Sequence, residues 1–440
     1  MLFWQTLLII LGALLLLMFT RYPVAFVFMT LNCCLFFVLL KGARGLSMFT
    51  STLYDSIATF TLLPVPMFLL MGELLFRSGV AQRAINALDR MLGKVPGRMS
   101  VLTCVAGMIF AATSGSTMAN TAMLGSLLVP EMEKKGYDRK LVLGPIMASG
   151  DLAMLIPPSG TAVLFAATAQ ISVGKVLMSG LIPGIILGIA FIAYIIIQTI
   201  RHPEMAPDDS ELAAVSLGTK IRLLVADVLP LGVLIFAVIG TILLGIATPS
   251  EAAALGALGA LLLCAYNQTF TWKVIKESCI SACKMTAMCF GIIIGATGFG
   301  QMLAYTGVVG SLTVFATGLP VPSIVVVILM LIVVFIGGCF MDVVPLMMIT
   351  IPIFYPIING LKLDPIWFAS LCLVGLSVGN ITPPFGMLLF VMQGVAPKGT
   401  TMKQVYTAAF PYVVITILVI ALMLLIPQLC TWLPGVIYSA

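Results

Sequence analysis

Two places in this 440-residue chain gather small, hydroxyl and amide residues inside otherwise apolar surroundings. The first is Ser114-Gly115-Ser116 with Asn120 just after it, together with the run 150–160 that holds Asp151, Ala153, Pro157, Pro158 and Ser159. The second is Gly337-Gly338 and Asp342, together with Gly379-Asn380-Ile381-Thr382-Pro383-Pro384. Proline removes a backbone donor and clashes with the preceding turn, so a helix must unwind at each Pro-Pro pair. Unwound carbonyls and Ser, Thr and Asn oxygens are hard, neutral ligands. Where they line a cavity at membrane depth they suit Na⁺, while half-helix N-termini suit anionic groups. An unpartnered carboxylate there is costly, so Asp342 and Asp151 should each meet a cation or be protonated. Asp342, at a turn, is read as a cation residue. Asp151, with Ser159 and Asn380, is placed on the substrate side, and a local cap or a solvated-cavity role stays open for Asp151.

Other chemistries have little to work with. His202 is the only histidine and lies in a polar loop, and no CxxC pair occurs. Zinc binding and His-based catalysis are therefore set aside, and the chain is read as a non-enzyme. Nearly all of the ten cysteines lie in or beside apolar spans and are expected to pack helices. Glu73 and Glu251 read as interfacial carboxylates near span ends, and Lys284 as a snorkelling cation.

Residues of this kind need a scaffold, and the composition says which one. Sixty-one per cent of residues are apolar and 9% charged, too little charge to cover a water-soluble fold. Nucleic-acid binding is excluded as well: the net charge of +6 comes from scattered Lys and Arg. Apolar runs of about 20 residues recur, as membrane-spanning helices require. Residues 2–19 lack the flanks of a cleaved signal and read as a retained span.

Spans are expected at 2–19, 23–40, 56–76, 177–200, 223–244, 252–266, 279–305 and 406–426. Segment 77–98 is amphipathic at helical spacing and reads as an interfacial helix, with 306–319 as its counterpart. Two pairs of short apolar arms, 101–112 with 117–129 and 323–337 with 343–358, read as re-entrant hairpins. Stretches 141–171 and 367–392 are long helices broken at their Pro-Pro pairs. The hydrophilic linker 202–220 marks the middle.

The halves match at a constant register. Pro157 and Pro383 are 226 residues apart, and the same offset joins Pro158 to Pro384, Gly160 to Gly386, Pro130 to Pro356, Asp138 to Asp364 and Ser116 to Asp342. If the repeats are inverted, one set of loops carries all but four of the 22 Lys and Arg residues. That set should be cytoplasmic. The first hairpin then enters from the cytoplasm, the second from the opposite side, and both termini are external.

These motifs resemble those of a known family. Gly150-Asp151-Leu152-Ala153-Met154-Leu155-Ile156-Pro157-Pro158-Ser159 resembles the G-x-L-G-x-x-I-P-P-S signature of the large membrane (M) subunit of tripartite ATP-independent periplasmic (TRAP) transporters. Arg77-Ser78-Gly79-Val80, the 114–120 turn, Gly338-Cys339-Phe340-Met341-Asp342 and Gly379–Pro384 fit too. Ala153 stands in place of the usual second glycine, and Asp151 in place of a small or hydroxyl residue.

The resemblance implies an all-α polytopic elevator transporter of inverted repeats, with two hairpins and two broken helices, in a bacterial inner membrane. It would import a small organic acid (C4-dicarboxylate, keto acid or sialic acid) with Na⁺ at two or more sites. Its partners would be a small membrane (Q) subunit and a periplasmic substrate-binding (P) protein. One cation site would use Ser116, Ala153 and Pro158, with Ser114 and Asn120 nearby. The other would use Gly338, Gly379 and Thr382, with Asp342 close. The implied division is scaffold at 1–76, an arm at 77–98, transport domain at 99–175, a membrane helix at 176–200 and a linker at 201–221. It continues with scaffold at 222–305, an arm at 306–320, transport domain at 321–400 and a C-terminal membrane helix at 401–440. The alternative is a stand-alone Na⁺/dicarboxylate symporter of similar build.

Overall fold

The computed structural model describes residues 3–18, 22–40, 42–93, 95–207 and 217–438. Arg21, Lys41 and Lys94, the middle of the linker, and the side chains of Thr113 and Ser114 lie outside the described residues. Among the described residues the fold is helical with no strand. In chain order the first half holds α1 (Phe3–Met18), α2 (Val24–Leu39), α3 (Ala43–Ile57), α4 (Pro64–Arg77), α5 (Val80–Met91), α6 (Arg98–Ser114), α7 (Thr117–Lys134), α8 (Arg139–Asp151), α9 (Gly160–Thr168) and α10 (Val173–Arg201). The second half holds α11 (Leu217–Leu223), α12 (Leu229–Leu243), α13 (Pro249–Tyr266), α14 (Trp272–Tyr305), α15 (Val308–Thr317), α16 (Ser323–Gly338), α17 (Val343–Gly360), α18 (Pro365–Asn380), α19 (Met387–Val395), α20 (Met402–Leu425) and α21 (Gln428–Tyr438). Among the described residues seven helical stretches are long and apolar enough to cross a membrane.

The helix starts follow from the sequence. Asp138 accepts the Lys140 amide at 2.8 Å to cap α8, and Asp364 accepts the Ile366 amide at 2.7 Å to cap α18. Glu251 closes a capping box with Thr248 at the start of α13. Glu73 pairs with Arg77 at 3.0 Å at the end of α4. Along α5, Val80, Ala84, Ile85 and Ala87 are buried while Arg83 and Arg90 are exposed. This is the amphipathic division its spacing requires.

Helix bounds recur at the sequence offset. Moved by 226 residues, Thr117–Lys134 of α7 falls on Val343–Gly360 of α17, end to end. Contacts between helices follow the same exchange: α9 packs on α17 and α19 on α7, while α18 packs on α10 and α8 on α20.

Several expectations needed revision. The span expected at 56–76 is two elements, because Pro64 and Pro66 start a new helix after α3 and a short 3₁₀ turn. The region 223–244 contains a π-helical turn at Leu224–Val228. After α20 a further helix, α21, packs against α10. Six cysteines are buried as helix packing predicts, but Cys33, Cys34, Cys279 and Cys283 are exposed on helix faces; all ten are free.

Candidate functional site

The first break begins earlier than its prolines. Ordered α-helix stops at Asp151, and a 3₁₀ turn covers Leu152–Met154. The reason is the bond four residues back. Pro157 has no N–H for the Ala153 carbonyl, and Pro158 has none for that of Met154. Ser159 repairs one of these losses: its hydroxyl donates to the Met154 carbonyl at 2.8 Å and accepts the Ala162 amide at 3.2 Å, capping α9. The Ala153 carbonyl is left without its helical donor.

The first hairpin turn stands against this break. Gly115 has φ +57°, and a Cβ there would lie 3.1 Å from the Gly160 nitrogen and 3.5 Å from the Pro158 carbonyl oxygen. Only glycine tolerates both that conformation and that approach. Ser116 follows as the N-cap of α7, accepting the Ala119 amide at 3.4 Å. Asn120 is fully buried, and its side-chain amide donates toward the carbonyls of Gly107 at 3.3 Å and of Ser149 and Gly150 at 3.5 Å.

The second half repeats the juxtaposition more tightly. A Cβ on Gly338, the last residue of α16, would lie 2.8 Å from the Gly379 Cα. The turn and the break are also joined by a backbone bond, Phe385 N–H to Cys339 C=O at 3.0 Å. Thr382 donates its hydroxyl to the Val378 carbonyl at 2.6 Å and its amide to the Gly379 carbonyl at 3.2 Å. Asp342 is half-buried at the N-cap of α17 but makes no capping hydrogen bond, unlike its counterpart Ser116.

The halves meet at the breaks through the Asp151 side chain. Asn380 donates its side-chain amide to Asp151 Oδ1 at 2.9 Å, and both residues are only 2% exposed. Around this contact lie buried oxygens without a hydrogen-bond partner: Asp151 Oδ2, Asn380 Oδ1, Asn120 Oδ1 and Thr121 Oγ1. Buried polar groups are normally paired, so their concentration beside the two helix breaks makes this the candidate site. Thr121, whose hydroxyl sits against Gly150, and Ser377, which faces the Asp151 carboxylate, were not anticipated. The offset of 226 joins Asp151 to Ser377, so the register itself carried the second signal.

Two cavities lie outside the breaks themselves. The larger, about 1350 Å³, lies among α3, α14 and the end of α9, with Asp55, Gln170, Glu251 and Gln301 on its walls. The smaller, about 430 Å³, is lined by Glu73, Phe110, Ser116 and Met285. Asp151, Ser159 and Asn380 line neither. Among the described residues no group of three His, Cys, Asp or Glu side chains converges. The donor set is one of carbonyl, hydroxyl and amide oxygens with single carboxylates, which suits a hard monovalent ion.

Comparison with known proteins agrees with these features. The sequence profile of the family described as "Tripartite ATP-independent periplasmic transporter, DctM component" matches residues 11–429. The C4-dicarboxylate TRAP transporter large permease protein DctM of Vibrio cholerae is 32% identical over 90% of this chain and 91% of its own length. An isethionate TRAP transporter permease protein, DctMQ, of Oleidesulfovibrio alaskensis is 30% identical over 91% of this chain and 61% of its own length. The 2,3-diketo-L-gulonate TRAP transporter large permease protein YiaN of Escherichia coli is 27% identical over 92% and 94% of the two chains. The Alcanivorax borkumensis YdaH transporter shares the fold, with a TM-score of 0.66 at 15% identity over 88% of this chain and 89% of its own. The chain is a multi-pass membrane protein and belongs to the DctM family of TRAP transporter membrane components.

Proposed function

We propose that this chain is the large permease of a Na⁺-coupled secondary importer in a bacterial inner membrane, working as an elevator. The observation that carries the proposal is the contact of each hairpin turn with its helix break, Gly115 on Gly160 and Gly338 on Gly379. In this reading one Na⁺ is held by Ser116, Ala153 and Pro158, with Ser114 and Asn120 beside them. A second is held by Gly338, Gly379 and Thr382, with Asp342 adding charge. The Ala153 carbonyl freed by Pro157 supports the first assignment, and the uncapped Asp342 carboxylate supports the second.

The proposed transport domain joins the hairpins, α6–α7 and α16–α17, to the broken helices, α8–α9 and α18–α19. The remaining long helices form the scaffold, and α5 and α15 the arms. Recurrent helix bounds and exchanged contacts support an inverted repeat. The substrate is a small organic acid of the C4-dicarboxylate, keto-acid or sialic-acid kind, placed near Ser159, Asp151 and Asn380. Each of the helices α7, α9, α17 and α19 begins at a turn or break, and helix N-termini favour anions. The relatives' names mention a dicarboxylate, a sulfonate and a diketo acid, all anionic. The partners are a small membrane subunit and a periplasmic binding protein. Proteoliposomes holding both membrane subunits should take up substrate only when the binding protein is supplied. Equal uptake of free substrate without it would instead establish the stand-alone symporter.

A further inference from the structure

Asp151 lies at the contact between the two halves. Its counterpart at the offset of 226 is Ser377, and the two face each other across that contact. Asn380 approaches from the second half as well, donating to Asp151 Oδ1 at 2.9 Å. Among the described residues no Lys or Arg forms an ion pair with Asp151. Only neutral groups, Asn380 and Ser377, approach the carboxylate, and its second oxygen, Oδ2, is buried without a hydrogen-bond partner. The amide touching it presents another unpartnered buried oxygen, Asn380 Oδ1. Two oxygens of opposed halves, one charged and one neutral, are thus both without a donor at the same contact.

We propose that Asp151 and Asn380, with Ser377, form an additional Na⁺ site between the halves, separate from the two carbonyl-rich sites at the breaks. The inference rests on the Na⁺ coupling proposed above. A bare carboxylate close to an organic anion would repel it, and a cation held there reverses the local charge. The enclosure selects a small occupant. Asp151 and Asn380 are 2% exposed and line neither cavity, an enclosure that favours a bare ion over a bulkier group. The charge is peculiar to this half, because the matching position in the second half is serine.

Equilibrium binding of ²²Na⁺ to the purified membrane complex tests the proposal, using wild type, Asp151→Asn and Asp151→Ser. Asp151→Ser copies the residue the second half carries at this position, so it guards against a folding defect in the isosteric variant. Both variants should bind one Na⁺ fewer per chain than wild type and elute as wild type on gel filtration. An unchanged number and affinity in either folded variant would overturn the site and leave Asp151 to a proton or to a substrate ammonium group. Absence of Na⁺ binding by the wild-type complex would overturn Na⁺ coupling altogether, an outcome distinct from failure of this site alone.

Discussion

Gly338→Ala should separate the second hairpin from its break without removing any oxygen ligand. The added Cβ would lie 2.8 Å from the Gly379 Cα and 3.3 Å from its carbonyl carbon, and both are backbone atoms that no rotamer change can move. Ordinary contact begins near 3.4 Å, so the turn must retreat by about 0.6 Å. Metal-site geometry tolerates about 0.2 Å. Overpacking of this size costs about 1–3 kcal/mol. If the Na⁺-bound arrangement bears that cost, the Na⁺ concentration at half-saturation rises roughly 5- to 150-fold. The assay is Na⁺-dependent thermal stabilisation of the purified complex, with K⁺ replacing Na⁺ at constant ionic strength. Gly394→Ala in α19 is the control, because a Cβ there meets nothing within 4 Å. It should keep the wild-type Na⁺ midpoint and add about 0.5–1 kcal/mol of helix stability. A wild-type Na⁺ midpoint for Gly338→Ala would show that the close approach of Gly338 and Gly379 serves packing and not ion binding.

Asp342→Ala should raise the Na⁺ requirement for transport by orders of magnitude and Asp342→Asn by less, since Asn keeps one oxygen; superimposable Na⁺ curves would make Asp342 structural. In a cysteine-depleted background, labels at Lys135 and Gly218 should react only from the cytoplasm and one at Gly360 only from outside. The same sidedness for Gly218 and Gly360 would break the inverted repeat. Arg98, 3% exposed at the start of α6, pairs with Asp89 of α5 at 2.9 Å. Removing the carboxylate with Asp89→Ala leaves a buried cation and should cost about 2–4 kcal/mol, seen as a lower unfolding temperature; an unchanged temperature would show that the pair adds nothing.

The sequence disclosed the long elements because a helix in lipid must be apolar over about 20 residues. It disclosed the breaks because proline acts locally. It misplaced the first break's onset because the lost bond lies four residues before the proline, so unwinding starts at Leu152 and not at Pro157. Helix α3 was missed because residues 43–57 mix Arg44, Ser47, Thr50, Ser51 and Asp55 into the run. Helix α21 was missed because Pro427 and Pro434 read as a tail. The bond from Asn380 to Asp151 joins residues 229 positions apart and had no local signature. The repeat register pointed to Ser377 opposite Asp151, whereas the roles of Thr121 and Gly107 depend on how α6, α7 and α8 pack.

Uptake by the reconstituted complex with its binding protein, driven by an inward Na⁺ gradient in vesicles free of ATP, addresses the coupling proposal without any mutation. Substrate should accumulate above its external concentration when Na⁺ is high outside, and accumulation should collapse when K⁺ replaces Na⁺. Equal uptake in K⁺ at zero membrane potential would contradict Na⁺ coupling, and with it the role assigned to both helix breaks.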